Sequence, residues 1–212
     1  MIIGIDLDNT IANLDPLFAV VATKIKLGEF EGIGKQGVKS ALTKADGSDM
    51  LWQKLQGRVY GAEYHQAHVY AGARDVIRNW CEDVNIDVFI VSHKTQYGHQ
   101  DDDKVDLHRV AMSWLMEKGI AGEQTVCPSH VFFELTQEQK LQRISSLNCD
   151  VFIDDLITIL DDQKFPINTA GLLFAPHGNK HGNRQGPLAE SWPEISTFID
   201  RTRSSNNKIK SD

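Results

Sequence analysis

The chain has 212 residues, of which 41% are hydrophobic and 24% are charged, and its formal net charge is −7. This composition is typical of a globular protein, and the length allows one sizeable core and a small accessory domain. The acidic balance argues against a nucleic-acid partner, because binding to a phosphate backbone depends on dense Lys and Arg. A small phosphorylated substrate remains possible, since it requires only a few local cations and one metal ion.

The targeting and redox signals favour a cytoplasmic protein. The first ten residues contain an early Asp and lack the basic start and long apolar stretch of a signal peptide. No window approaches the ~18 apolar residues of a membrane span, so no membrane association is expected. The three cysteines, Cys81, Cys127 and Cys149, have no metal-binding spacing, and unpaired thiols are typical of a reducing compartment.

The first third of the chain predicts one strand followed by helices. Residues 1–7 form an apolar run that fits a buried strand. Apolar spacing then indicates helices over residues 14–27, 37–44 and 49–60. Four glycines between residues 28 and 37 predict a loop, and Asp46-Gly47 is a turn signal between the last two helices. No strand is evident between residues 38 and 71, so we interpret residues 13–71 as a small helical insertion.

From residue 72 onward, strands and helices alternate. Apolar runs predict strands over residues 86–91, 131–133, 149–153 and 170–174. Helical spacing and start signals, including a capping box at Thr136 and Gln139, predict helices over residues 73–82, 105–118, 136–147 and 192–201. Polar loops are expected at residues 99–103 and 177–185, and a disordered tail over residues 204–212.

The alternation predicts an α/β fold: a Rossmann-like, doubly wound, mainly parallel sheet with helices on both faces. Residues 1–12 and 72–203 would form this core, and residues 13–71 would form a helical cap inserted after the first strand. In such a sheet, ligands bind at the carboxyl ends of the strands. The polar residues just past each strand are therefore the candidate site.

Four strand ends carry such residues. They are Asp6, Asp8 and Thr10 after the first strand, Ser92 after the second, Lys140 in the helix after the third, and Asp154 and Asp155 after the fourth. Four carboxylates in one pocket would repel each other, and a bound divalent cation would compensate. Oxygen ligands of this kind suit Mg²⁺, which also accepts substrate phosphate oxygens. Thr10 and Ser92 could donate hydrogen bonds to a phosphate, and Lys140 could add a positive charge there.

The two acids on the first strand end suggest phosphoryl transfer. A carboxylate can attack a phosphoryl group and form an acyl-phosphate, which divides one difficult displacement into two easier ones. A second acid can protonate the leaving alcohol and then deprotonate the attacking water. Asp6 and Asp8 are two residues apart, so extended backbone would point both to one side of the sheet.

The order of these segments resembles the haloacid dehalogenase-like (HAD) hydrolase superfamily. Residues 5–10, IDLDNT, resemble its first motif, an apolar residue followed by D-x-D-x-T. Val91-Ser92 resembles the second motif, Lys140 the third, and residues 152–155, FIDD, the fourth. The resemblance covers residues 1 to about 174, which is most of the chain.

The resemblance implies roles for the four acids. Asp6 would be the nucleophile and a metal ligand. Asp8 would be the general acid and base, and would also ligate the metal through its main-chain carbonyl. Asp154 would bind the metal, and Asp155 would do so directly or through water.

The resemblance also implies that Ser92 and Lys140 bind the phosphoryl group and that Thr10 supports the loop. Dehalogenases generally lack an acid at the position of Asp8, whereas phosphatases and phosphomutases have one. The expected function is therefore Mg²⁺-dependent hydrolysis of a small phosphomonoester, such as a nucleotide or sugar phosphate, under a helical cap. Further candidates for contacts with the leaving group are His93, Lys94, Lys54, Arg58, Tyr60 and Tyr64.

Three alternatives remain open. A phosphomutase or phosphotransferase would use an alcohol in place of water. A polynucleotide phosphatase is disfavoured by the acidic net charge. A non-catalytic binding protein that keeps the fold is disfavoured because clustered carboxylates without a use would only destabilise it.

Overall fold

The computed structural model describes residues 1–42, 48–98, 103–178 and 184–209. Within these ranges the strands are β1 (Ile2–Ile5), β2 (Ala12–Asn13), β3 (His68–Val69), β4 (Asp87–His93), β5 (Val131–Glu134), β6 (Val151–Asp154), β7 (Ala170–Phe174) and β8 (Leu188–Ala189). The α-helices are α1 (Asp15–Lys24), α2 (Lys35–Leu42), α3 (Ser48–Tyr60), α4 (Ala73–Glu82), α5 (Leu107–Glu117), α6 (Gln137–Ser146), α7 (Ile157–Leu160) and α8 (Trp192–Ile209).

Six strands form one parallel sheet in the order β5-β4-β1-β6-β7-β8. β1 lies near the centre, where Ile5 is in register with Ile90 of β4 and Ile153 of β6. The predicted Rossmann-like sheet is thereby confirmed. β8 was not predicted, because two residues are too short to show the alternation by which a strand is recognised.

Helices cover both faces of the sheet, as predicted. On one face, Ile3 and Ile5 of β1 belong to a large apolar cluster that includes Trp192. On the other face, Phe152 of β6 packs in a second cluster with residues of α6. A Cβ atom at Gly4 would lie 2.5 Å from the Phe152 ring, so the absence of a side chain in β1 makes room for it.

The segment between β1 and α4 is mainly helical. α1, α2 and α3 contact one another, and the ring of Phe18 stacks on Trp52 with 5.3 Å between centroids. At the two ends of the segment, β2 and β3 form an antiparallel pair in which Ala12 faces Val69. The sequence predicted no strand here, and again two-residue strands leave no periodic signal. This pair holds the start and the end of the helical segment next to each other.

The last helix is longer than predicted. α8 continues to Ile209, past residue 201 and into the stretch from 204 that was expected to be disordered. The apolar spacing ends near residue 201, but Arg203 pairs with Asp83 and the Ser204 hydroxyl donates to the carbonyl of Asp200. Polar residues can therefore continue the helix after its apolar face has ended.

Some of the predictions fall outside the described residues. These are the turn at Asp46-Gly47, most of the loop at 99–103, the middle of the loop at 177–185 and the end of the chain after residue 209. Among the helices that the structure describes, none has both the length and the apolar character needed to cross a bilayer.

Candidate active site

The site begins where β1 ends. The amide of Asp6 donates to the carbonyl of Ile153 at 2.8 Å, so the sheet geometry continues one residue beyond the strand. The chain then turns at Asn9, which has a left-handed φ of 63° and accepts a hydrogen bond from the amide of Leu14 through its side chain. Asn tolerates this conformation better than most residues. The turn leaves Asp6 and Asp8 at the carboxyl edge of the sheet.

The structure brings together three of the predicted acids. Carboxylate oxygens of Asp6, Asp154 and Asp155 all lie within 4.8 Å of one another. Lys140 reaches the same point from α6, and its Nζ lies 2.6 Å from both Asp6 Oδ1 and Asp154 Oδ2. The Lys140 residue is only 2% exposed. The predicted third and fourth motifs therefore meet the first around one buried ammonium group.

Negative charge is in excess at this point. Burial raises the pKa of Asp6 to about 7; Lys140 opposes this rise, whereas Asp154 and Asp8 add to it. Burial likewise raises the pKa of Asp155 well above its ordinary value, and Asp154 and Asp6 raise it further. One ammonium group thus compensates three clustered carboxylates only in part. The three acids offer the hard oxygen ligands that Mg²⁺ prefers, so the residues present fit such an ion.

The Asp8 side chain has a separate set of partners. The Tyr64 hydroxyl donates to Asp8 Oδ1 at 2.7 Å, and Lys94 Nζ donates to Oδ2 at 2.6 Å. Lys94 is 5% exposed, and its ammonium lies 4.7 Å and 4.9 Å from the ring centroids of Tyr60 and Tyr64. The Asp8 side chain does not belong to the group formed by Asp6, Asp154 and Asp155. Asp6 and Asp8, the two acids of the first motif, therefore have different surroundings.

The two hydroxyl residues differ in their position. Ser92 is buried in β4, which extends through His93, and it lines the cavity described below. Thr10 is fully buried away from the cavity; its hydroxyl lies 3.5 Å from Asp6 Oδ2, and its carbonyl accepts a hydrogen bond from the Trp192 indole at 3.1 Å. The position of Thr10 therefore does not favour the predicted contact with phosphate. It fits the other expectation, support of the loop that carries Asp6.

A cavity of about 310 Å³ opens over these groups. Asp6, Asp8, Asp155, Ser92, Lys94 and Lys140 line it from the sheet edge. The helical segment between β2 and β3 contributes the facing residues Lys35, Gln53, Gln56 and Tyr60. The arrangement can hold a phosphoryl group at the acids and the rest of a ligand beneath the helices.

Part of the helical wall of the cavity could be predicted from the sequence. Tyr60 and Tyr64 reach the site, whereas Arg58 pairs with Asp103 at 3.3 Å on the surface and Lys54 does not line the cavity. Lys35 and the two glutamines were missed because no local motif marks them. Lys94 was one of the predicted candidates; it lines the cavity, and its ammonium contacts Asp8.

Removing the Tyr64 hydroxyl tests how Asp8 is held. We expect Tyr64→Phe to lower kcat/KM about tenfold, because Asp8 loses a hydrogen bond of the charge-assisted kind while the buried ring stays in place. Steady-state kinetics on an aryl phosphate provides the measurement, and Tyr97→Phe on the exposed surface is the control. Equal kinetics in the two variants would show that this bond does not position Asp8 for catalysis.

The comparisons with known proteins support the architecture. No protein-family model and no curated protein sequence matches this chain. Solved structures do: a HAD family hydrolase from Deinococcus radiodurans R1, with bound phosphate and sodium, superposes with a TM-score of 0.57 at 14% identity, covering 94% of this chain and 95% of that one.

Two other structures show the same similarity. The putative HAD-hydrolase YfnB from Bacillus subtilis, bound to magnesium, gives a TM-score of 0.55 at 13% identity over 94% of this chain and 98% of that one. A HAD phosphatase from Thermococcus onnurineus gives a TM-score of 0.50 at 14% identity, covering 93% of this chain and 96% of that one. The chain therefore has the fold of the HAD hydrolases, as its sequence motifs suggested.

Proposed function

We propose that this protein is a Mg²⁺-dependent phosphohydrolase that cleaves a small phosphomonoester through a phosphoryl intermediate on Asp6. The observation that carries the proposal is the meeting of Asp6, Asp154 and Asp155 around Lys140, with a fourth acid, Asp8, in the lining of the same cavity. This set supplies a nucleophile, a cation site and a proton carrier within one concave site.

In the first step, an oxygen of Asp6 attacks phosphorus and the bond from phosphorus to the leaving oxygen breaks. Asp8 donates a proton to that oxygen, so the product leaves as a neutral alcohol. Lys140 and Ser92 bind the non-bridging phosphoryl oxygens. A Mg²⁺ ion held by Asp6, Asp154 and Asp155 would neutralise charge on the transferring group.

In the second step, water attacks the phosphorus of the aspartyl-phosphate. Asp8 accepts a proton from the water, the bond between phosphorus and the Asp6 oxygen breaks, and inorganic phosphate is released with Asp6 regenerated. Lys94 and Tyr64 contact both oxygens of Asp8 and fix its side chain beside the cavity, where the proposed proton transfers take place.

The size and walls of the cavity support a small substrate. About 310 Å³ is at the lower end of the ~300–1,000 Å³ range of ligand pockets. The helical segment at residues 13–71 would act as a cap that closes over the leaving group and excludes water. The names of the similar structures are consistent with this chemistry, since one holds phosphate and another holds magnesium. The three unpaired cysteines support a cytoplasmic location.

Removal of the metal tests the proposal directly. We expect EDTA to abolish phosphate release from a panel of small phosphomonoesters, and added Mg²⁺ to restore it, because the clustered acids repel a phosphate unless a cation is present. Colorimetric detection of inorganic phosphate gives the measurement. Full turnover in EDTA would contradict a metal-dependent mechanism.

A further inference from the structure

Three ammonium groups line the cavity, and one of them differs from the others. Lys140 contacts Asp6 and Asp154, and Lys94 contacts Asp8, each at 2.6 Å. The third is Lys35, at the start of α2. Among the ion pairs formed by the residues that the structure describes, none includes Lys35.

The contacts of Lys35 are neutral groups. Its Nζ donates to the Tyr60 hydroxyl at 3.0 Å and lies 5.4 Å from the ring centroid of Phe18 and 5.8 Å from that of Tyr60. The residue is half-buried. Burial opposes the charged form of Lys35, but the Tyr60 hydroxyl and the carboxylates of Asp155 and Asp8 outweigh it and hold the pKa of Lys35 above its ordinary value. The side chain is therefore an ammonium group that lines the cavity without a direct ion pair, and an anion that enters the cavity can contact it.

The neighbours of Lys35 on the same wall are also free to bind. Gln53 and Gln56 of α3 line the cavity, and neither side-chain amide takes part in a hydrogen bond with another described residue. Gly57, next to them, has no side chain to occupy the space. Amide N–H groups beside an ammonium group are suitable donors for the two oxygens of a carboxylate.

The phosphoryl group of the substrate does not need Lys35. Lys140, Ser92 and the acids that would hold a cation lie at the sheet edge, whereas Lys35 comes from the helical segment that faces it. An anion bound by Lys35 would therefore be a different group of the same substrate, on the leaving portion. In a cavity of about 310 Å³, a carboxylate is favoured over a second phosphate because it is smaller.

We infer that the substrate is a phosphorylated hydroxy acid of a few carbons, whose carboxylate is bound by Lys35 with Gln53 and Gln56 while its phosphoryl group is at Asp6. This inference depends on the proposed phosphohydrolase activity and narrows its substrate class. Lys35 would be a specificity residue in contact with the leaving portion and would take no part in the chemical steps.

The test uses two substrates that differ at one carbon. 3-Phosphoglycerate has a terminal carboxylate where glycerol 3-phosphate has a hydroxymethyl group. We expect the wild-type protein to prefer the carboxylate compound in kcat/KM by about tenfold or more, the size typical of a charge-assisted contact. Lys35→Met should lower kcat/KM about tenfold for 3-phosphoglycerate, mainly through KM, and leave glycerol 3-phosphate nearly unchanged.

Two further variants serve as controls. Lys35→Arg retains the charge and should keep most of the preference. Lys39→Met removes a lysine of the same helix whose ammonium lies 5.7 Å from the Trp52 ring centroid, outside the cavity lining, and should behave as wild type.

The outcomes are separable. If the wild-type protein hydrolyses neither substrate nor any aryl phosphate, the proposed phosphohydrolase function fails. If it hydrolyses both equally, the function stands and the inference about the carboxylate is overturned. If Lys35→Met weakens both substrates equally, Lys35 serves the phosphoryl group or the fold, and the inference is again overturned. The wild-type comparison remains decisive even if the Met variant does not fold.

Discussion

Replacement of Asp6 by Asn is expected to abolish phosphate release and leave the fold intact. The amide has nearly the same shape as the carboxylate, but its oxygen is a poor nucleophile toward phosphorus, so the first step has no attacking group. Loss of a nucleophile typically lowers kcat by about 10⁴-fold or more. The amide also keeps an oxygen that can accept from Lys140, which limits the cost to stability.

The measurement is Mg²⁺-dependent release of phosphate from an aryl phosphate, with far-UV circular dichroism to verify the fold. Asp75→Asn provides a matched control, because it is the same change on the exposed surface of α4. The control should retain wild-type activity. Wild-type turnover in Asp6→Asn would rule out Asp6 as the nucleophile.

A second readout separates binding at Asp6 from loss of turnover. Beryllium fluoride with Mg²⁺ mimics a phosphoryl group on a carboxylate, so it should raise the melting temperature of the wild-type protein through ligand linkage. Asp6→Asn lacks the carboxylate that the mimic binds, and its melting temperature should not change. Equal shifts in both proteins would place the binding site away from Asp6.

The acids of the site could be predicted because local pattern alone identifies them. Asp6 and Asp8 follow an apolar strand, and Asp154 follows another. A parallel sheet brings the carboxyl ends of its strands to one edge wherever those strands stand in the sequence. The strand order β4-β1-β6 then makes these ends neighbours. Lys140 was marked by its place in the order of motifs, and the structure puts it between Asp6 and Asp154.

The partners of Asp8 could not be predicted in the same way. Tyr64 belongs to the helical segment and is 56 residues from Asp8 along the chain, so its contact depends on how that segment lies over the sheet edge. Lys94 directly follows β4, and its contact with Asp8 depends on which way a side chain just past the strand end turns. Lys35 is a similar case, since nothing in the sequence around it indicates a cavity. Thr10 shows a third limit: a hydroxyl in a motif can face a ligand or the interior, and the motif does not indicate that this one lies 3.5 Å from Asp6 Oδ2 in a fully buried position.

Replacement of Lys140 by Met is expected to have the largest effect on stability. Met has a similar length and fills the same buried space without a charge. Asp6, Asp154 and Asp155 then lose the ammonium that compensates them, and breaking such a buried pair typically costs about 3–5 kcal/mol. The measurement is urea unfolding in EDTA at mildly alkaline pH, where proton uptake by the buried carboxyls relieves the repulsion less than it does at neutral pH.

The exposed pair of Lys164 with Glu138 gives the control, and Lys164→Met should change the free energy of unfolding by at most about 0.5 kcal/mol. Mg²⁺ should stabilise Lys140→Met more than it stabilises the wild type, because the cation replaces the missing charge. Adding Asp6→Asn to Lys140→Met should recover part of the lost stability, since one of the repelling carboxylates is removed. If Lys140→Met were as stable as wild type in EDTA, or if the two changes were simply additive, charge compensation by Lys140 would not be what holds these acids together.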